Sequence, residues 1–97
     1  MSKLLEKQIE EKVNTYAKEQ GFLVYKFTSP QRAAVPDRLY ITPRGKVFFV
    51  EFKRESMKPT PAQQREHDRL RCGGVDVWIV DNVRDGYDMV NEMRLRC

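Results

Sequence analysis

The chain has 97 residues, of which 40% are hydrophobic and 33% are charged, and its formal net charge is +4. That length and composition fit a single folded domain, expected here over residues 1–97, and no apolar run approaches the roughly 20 residues that a membrane span needs. The stretch Met1–Glu11 is charged rather than apolar, so we expect no signal peptide, no membrane partner and a location in the cytoplasm.

The first element predicted along the chain is an amphipathic helix over residues 3–20. Its apolar side chains recur every three or four positions, as a helix with one buried face requires. These side chains are Leu5, Ile9, Val13 and Tyr16. Gly21 is expected to end the helix, because glycine is favoured just beyond a helix C-terminus.

Three strands are predicted next. Aromatic and β-branched residues favour a strand over Phe22–Thr28. After a loop with a proline at each end, a second strand is predicted over Asp37–Thr42 and a third over Lys46–Lys53. Pro43 and Gly45 stand where a type I turn favours them, so the second and third strands should form a hairpin.

A second helix is predicted after a polar loop. Thr60 suits the N-cap, Pro61 suits the first helical position, and Gln63 completes a capping box. The helix should run to about Cys72 and end at the glycines that begin with Gly73.

The last two predicted elements are a strand over Val75–Val80 and a short helix over Val83–Arg94. The order is then α-β-β-β-α-β-α, which indicates an α/β (α+β) fold around a mixed central sheet. The core of so short a chain is modest, so a second copy of the chain is expected to complete it as a homodimer.

The third predicted strand is the most hydrophobic, yet it ends in charged residues. The apolar run Val47–Val50 predicts a central strand covered on both faces. Glu51 and Lys53 follow it on one face, because side chains alternate along a strand. Charges there are costly unless they are paired, solvated or bound to a metal. Taken alone, this Glu-x-Lys tripeptide is better explained by an exposed salt bridge.

Asp37 changes that interpretation. With Pro43 and the following arginine at the centre of the turn, Tyr40 lies near Val47 and Asp37 lies near Val50 or Glu51, to within about one residue. Two carboxylates this close repel each other unless a cation lies between them. We therefore expect Asp37 and Glu51 to bind a divalent metal.

The residue types also restrict the kind of metal. His67 is the single histidine, and the two cysteines, Cys72 and Cys97, form no CxxC pair, which argues against a zinc site of Cys and His ligands. No disulfide is expected between these cysteines in a reducing compartment. Oxygen ligands suit Mg²⁺ or Mn²⁺. His67 is expected to be a surface or interface residue rather than a base.

Several short motifs carry a family resemblance. Pro36-Asp37, thirteen intervening residues and Glu51-Phe52-Lys53 match the PD-(D/E)XK pattern. Four blocks occur in order at compatible spacings: residues 27–30, 35–39, 50–53 and 60–67. Together they resemble the VRR-Nuc family of the PD-(D/E)XK nuclease superfamily, whose stand-alone members are often viral or phage proteins. Family members often carry Gly where this chain has Ala34, which bears on the loop's backbone shape and not on the carboxylates.

The resemblance implies a restriction-endonuclease-like core and a further acid on the first helix. That acid is expected at Glu10, with Glu6 as the alternative, because both border the apolar stripe. It also implies a glutamine near the catalytic centre, at Gln63 in preference to Gln64. The expected catalytic residues are Glu10, Asp37, Glu51, Lys53 and Gln63. The expected metal ligands are Asp37, Glu51, Glu10 and the backbone carbonyl of Phe52.

The expected function is metal-dependent, structure-specific cleavage of DNA. Lys53 would orient or help deprotonate the attacking water and offset charge on the transition state, and Gln63 could hold the same water. Phosphate contacts are expected from basic side chains: Arg32, Arg38, Lys58, Arg65 and Arg69.

The expected substrate is branched DNA, with Holliday junctions first, because a twofold dimer supplies two sites for two strands. The alternatives are a non-catalytic DNA-binding module of the same fold, a flap or nicking nuclease, and an RNA-directed nuclease.

Overall fold

The computed structural model describes residues 4–96, so Lys3 of the predicted first helix and Cys97 lie outside the described residues. These residues form seven elements in the predicted order: α1 Glu6–Glu19, β1 Leu23–Lys26, β2 Arg38–Ile41, β3 Val47–Phe52, α2 Pro61–Cys72, β4 Val77–Val80 and α3 Val83–Leu95. The strands are shorter than predicted. Val75 belongs to the turn that leaves α2, because its N–H donates to the carbonyl of Leu70 at 3.1 Å.

The strands form one sheet in the order β1-β2-β3-β4. The pairs β1–β2 and β2–β3 are antiparallel, and β3–β4 is parallel. The helix α2 connects the parallel strands, as a crossover between parallel neighbours requires. This mixed sheet with three helices confirms the predicted α+β fold.

The β2–β3 hairpin differs from the prediction by one residue. Tyr40 pairs with Phe48 rather than Val47. The reason is the turn, where Gly45 has a φ of +87° and donates its N–H to the carbonyl of Thr42 at 2.9 Å. A left-handed glycine after a type I turn adds a third residue to the loop, which shifts the register by one.

The hydrophobic core lies between one face of the sheet and the helices α1 and α3. The strands contribute inward side chains that include Tyr40, Phe48, Val50 and Phe52, each fully buried. The two helices approach closely at Gly86, where an added Cβ would lie 2.3 Å from a methyl carbon of Val13. Among the described helices, none combines the length and apolar character needed to cross a membrane.

The other face of the sheet carries the residues that were predicted to be functional. Because side chains alternate along β3, Glu51 points away from the face that carries Val50 and Phe52. The buried side chains of α2 are Glu66 and His67, and His67 lies next to Glu51. The fold therefore places a carboxylate under a helix whose inward face is polar.

Candidate active site

Within residues 4–96, three carboxylates from separate segments meet at one end of the sheet. One oxygen each from Glu6, Asp37 and Glu51 lies within 4.8 Å of the other two. Glu6 begins α1, Asp37 immediately precedes β2, and Glu51 is the next-to-last residue of β3. The structure thus brings Asp37 and Glu51 together as the sequence predicts, and adds Glu6.

The hairpin register explains the position of Asp37. The β2–β3 ladder ends with Arg38 opposite Val50, so one step further places Asp37 beside Glu51. The N–H of Phe52 donates to Asp37 Oδ2 at 3.2 Å, and the N–H of Phe27 donates to the carbonyl of Asp37 at 2.9 Å. Backbone groups at the end of β3 and immediately after β1 therefore fix this residue. A ligand role for the carbonyl of Phe52 stays a prediction.

The helix α1 presents two acids near the sheet, and they have different partners. Glu10 accepts a hydrogen bond from the guanidinium of Arg38, with which it forms an ion pair. Burial raises the pKa of Tyr40, and the negative charge of Glu10 raises it further. Glu6 lies four residues earlier, about 6 Å along the helix axis, and belongs to the cluster of three carboxylates. The arrangement therefore favours Glu6 over Glu10 as the acid that α1 contributes.

Crowding and burial make these carboxylates hard to ionise together. Only 1% of the Glu51 side chain is exposed. Burial, as the largest cause, raises the pKa of Glu51 together with the charge and hydrogen bond of Asp37 and the charge of Glu6, while Lys53 lowers it, and the net value is about 8. Burial and Asp37 also raise the pKa of Glu6. A cation among these oxygens would remove the penalty.

The donor set fits a hard divalent cation. All three side chains offer carboxylate oxygens, the ligands that Mg²⁺ and Mn²⁺ prefer. Glu51 Oε1 is buried and has no hydrogen-bond partner among the residues described. An unsatisfied buried oxygen is uncommon unless some group pairs with it. The site can therefore accept a metal without displacing an existing bond of that oxygen.

Lys53 and Gln63 adjoin the other oxygen of Glu51. Lys53 Nζ donates to Gln63 Oε1 at 2.6 Å and lies 3.6 Å from Glu51 Oε2. Gln63 Nε2 donates to Glu51 Oε2 at 3.3 Å. Gln63 also forms the predicted capping box, since its Oε1 accepts from the N–H of Thr60 at 3.0 Å. Both roles of Gln63 coexist, whereas exposed Gln64 donates to Asp68.

His67 is fully buried, so the prediction of a surface or interface position is wrong. Its Nε2 lies 3.6 Å from Glu51 Oε1. Burial lowers the pKa of His67, and the charges of Arg71 and Lys53 lower it further. The sequence contained a signal for this position, because His67 follows Gln63 by four residues and therefore shares its helix face.

The predicted phosphate-binding residues fall into two groups. Arg38 is paired with Glu10, and Arg32 donates from Nε to the buried Glu66 at 2.9 Å. The side chain of Arg32 remains 46% exposed beside that contact. The other predicted residues are exposed: Lys58, Arg65 and Arg69. Arg32, Arg65 and Arg69 line one surface depression between the loop before β2 and α2.

Comparison with known proteins agrees with this architecture. No protein-family model matches the sequence. "Putative nuclease p44" of Acyrthosiphon pisum secondary endosymbiont phage 1 is 44% identical over 82 residues, covering 84% of this chain and 88% of that protein.

Two solved structures share the fold. One, named "VRR_NUC domain", has a TM-score of 0.82 at 34% identity and covers 89% of this chain and 94% of its own. Another, named "VRR_NUC domain protein", has a TM-score of 0.77 and covers 93% of this chain and 88% of its own. At 16% identity, that second likeness bears on the fold alone. On the fold, the acidic cluster and these similarities, the chain belongs to the VRR-Nuc family of nucleases.

Proposed function

We propose that this nuclease is a metal-dependent endonuclease that hydrolyses phosphodiester bonds in branched DNA. The observation that carries the proposal is the meeting of Glu6, Asp37 and Glu51 beside Lys53. Such a group of acids repels a phosphate unless a cation is present, so a role in binding DNA alone does not explain it. A site of this kind suits metal-assisted hydrolysis.

Asp37, Glu51 and Glu6 would hold the ion, which we propose to be Mg²⁺ or Mn²⁺. When bound, a divalent cation polarises the scissile phosphate and lowers the pKa of water. Backbone contacts hold Asp37, and burial holds Glu51, so these ligands are already close to one another without a metal. Preformed ligands bind a cation without a further loss of conformational freedom.

Lys53 and Gln63 would act on the attacking water and the phosphate. The side chain of Lys53 is 15% exposed, and its ammonium group is held by a hydrogen bond to Gln63. From there it would offset negative charge as the phosphate is attacked. The Gln63 amide, fixed by the helix cap, would orient the water. These two side chains then supply the positioned donors of the site.

DNA binding would use the exposed basic residues next to the site. Lys58, Arg65 and Arg69 are proposed to contact phosphates, and Arg32 to add charge at the same depression. Contacts of this kind depend strongly on salt and carry no base specificity. Because such contacts do not read the bases, the protein would recognise the shape of the DNA. Recognition of shape suits branched substrates, and Holliday junctions in particular.

A homodimer would supply two sites for two strands. The sheet face opposite α1 and α3 carries apolar side chains that are about half exposed: Leu23, Tyr25 and Val47. We propose that a second copy covers this face. Sedimentation equilibrium of the wild type and Tyr25→Lys tests it: a dimer that Tyr25→Lys dissociates is expected, and a monomeric wild type would contradict it.

The decisive experiment is cleavage of a panel of substrates with Mg²⁺ or Mn²⁺. Linear duplex, flap, fork and four-way junction DNA are compared with matched RNA. Glu51→Gln should abolish cleavage, and Lys53→Ala should slow it by about 10²-fold or more. Glu11→Gln changes an exposed acid on the same helix as Glu6 and should behave as wild type. Binding without cleavage by the wild type would instead indicate a DNA-binding module.

A further inference from the structure

The contact between α2 and β3 contains buried polar atoms, and the mechanism above gives no role to those of His67. Within residues 4–96, the buried side-chain atoms without a hydrogen-bond partner are Glu51 Oε1 and both ring nitrogens of His67. These atoms belong to two side chains that face each other. Buried polar groups in native proteins are normally paired. Their concentration at one contact indicates a bond that forms in another state of the site.

The distance between the two side chains supports this interpretation. His67 Nε2 and Glu51 Oε1 are 3.6 Å apart, about 0.5 Å beyond the usual length of an N–H···O hydrogen bond. A small rotation of the carboxylate would close the gap.

The surroundings of His67 exclude other roles. The side chain is 0% exposed, so it cannot reach a phosphate or exchange a proton directly with solvent. Neither ring nitrogen of His67 belongs to the cluster of ligand atoms that Glu6, Asp37 and Glu51 form. The oxygens of Glu51 thus have distinct neighbours, Gln63 and Lys53 on Oε2 and His67 on Oε1.

We propose that His67 is a positioning residue, which donates a hydrogen bond from Nε2 to Glu51 Oε1 and so holds this carboxylate in the orientation that binds the metal. The inference rests on the proposed role of Glu51 as a metal ligand. Hydrogen-bond partners of metal ligands orient those ligands, and their loss commonly weakens metal binding by about 10–100-fold.

Two variants separate positioning from packing. His67→Leu fills the space but removes the donor, whereas His67→Gln keeps a donor of similar reach. We expect the Mg²⁺ dissociation constant, measured by calorimetry without DNA, to rise about 10-fold or more in His67→Leu and to be largely restored in His67→Gln. Gln64→Leu changes an exposed residue of α2 and serves as the matched control.

Stability without metal provides the second measurement. His67→Leu removes unpaired buried polar atoms, so its melting temperature in EDTA should equal or exceed that of the wild type. A purely structural role predicts the opposite, a lower melting temperature with unchanged Mg²⁺ affinity in the folded fraction. That result would overturn the proposal, as would wild-type Mg²⁺ affinity in a folded His67→Leu.

The single histidine also gives a direct spectroscopic test. In protein without a histidine tag, long-range ¹H–¹⁵N spectra should show the Nε2–H tautomer and a change in its ¹⁵N and proton shifts on adding Mg²⁺. The change should be absent in Glu51→Gln. Unchanged shifts in a wild type that binds Mg²⁺ and cuts DNA would overturn the role of His67 alone. A wild type that binds neither Mg²⁺ nor Mn²⁺ would overturn the proposed function as well.

Discussion

Gln63 Nε2 donates to Glu51 Oε2 at 3.3 Å, so one residue both completes the capping box of α2 and contacts the buried carboxylate of the site. The same side chain accepts from Thr60 through its oxygen and from Lys53 Nζ. The start of α2 is therefore tied to the end of β3 by side-chain hydrogen bonds. A change at Gln63 should act on helix stability and on chemistry together.

Replacing Gln63 separates those two effects. Gln63→Glu keeps the capping box, because glutamate is equally suited to that position, but it sets another carboxylate against Glu51. We expect near-normal helix content, a further rise in the pKa of Glu51 and a pH–rate profile displaced to higher pH. Gln63→Ala should lose both contacts and destabilise the fold by about 1 kcal/mol.

The measurements for this pair are urea unfolding and cleavage rate against pH. Gln64→Ala is the control, since Gln64 is exposed and its side chain donates to Asp68 rather than to a residue of the site. An unshifted pH profile in Gln63→Glu would show that this amide does not contact Glu51 in the working enzyme.

The raised pKa of Glu51 predicts how metal-free stability depends on pH. The folded protein keeps a proton on Glu51 up to about pH 8, whereas the unfolded chain releases it near its ordinary value of 4.5. Between those values the folded state binds more protons, so the free energy of unfolding should fall as the pH rises. Saturating Mg²⁺ should reduce that fall, because the cation favours the ionised carboxylate.

Urea unfolding in EDTA and in Mg²⁺, at several pH values between 5 and 8, measures this contribution. Glu51→Gln has no titrating group at this position and should lose the wild type's decline over that range. The prediction also requires Mg²⁺ to bind more tightly as the pH rises, with release of protons. Stability that increases with pH in wild-type protein but not in Glu51→Gln would contradict the sign.

Substitutions of Glu6 and Glu10, the two acids of α1 that lie near the sheet, should have different effects. Glu6→Gln removes one carboxylate from the cluster that Glu6 forms with Asp37 and Glu51. It also removes a negative charge that raises the pKa of Glu51. It should weaken Mg²⁺ binding by about 10-fold or more and lower the pKa of Glu51. Glu10→Gln breaks the ion pair with Arg38, which is partly exposed and should contribute about 1 kcal/mol or less to stability.

Calorimetric titration with Mg²⁺ distinguishes these variants, with Glu11→Gln as the exposed control on the same helix. If Glu10→Gln loses Mg²⁺ affinity and Glu6→Gln keeps it, the acid from α1 is Glu10, as the family resemblance implies. In that case the ion pair between Glu10 and Arg38 must open when the metal binds.

Periodicity and turn chemistry were sufficient to predict the order of elements and the contact between Asp37 and Glu51. They fixed Glu51 on its strand face because alternation is a local property of one strand. The register of the hairpin lies one residue from the centre of the predicted range, because the left-handed conformation of Gly45 is a property of the folded turn. Both Glu6 and Glu10 border the apolar stripe, so only tertiary packing distinguishes them.

The buried position of His67 could not be predicted from apolar periodicity, because the inward face of α2 is polar.

The contact between α1 and α3 supplies a test of the fold that is independent of the active site. An alanine Cβ at Gly86 would lie 2.3 Å from one methyl carbon of Val13 and 3.0 Å from the other. Alanine gains about 1 kcal/mol over glycine in helix propensity, but overpacking between two fixed helices costs about 1–3 kcal/mol. We therefore expect Gly86→Ala to destabilise the protein in urea unfolding and Val13→Ala to leave a cavity.

The double variant tests this contact. Because the methyl group of the Gly86→Ala change would occupy the cavity left by Val13→Ala, the double variant should be more stable than the sum of the single changes predicts. Strict additivity would mean that the helices separate at this point instead.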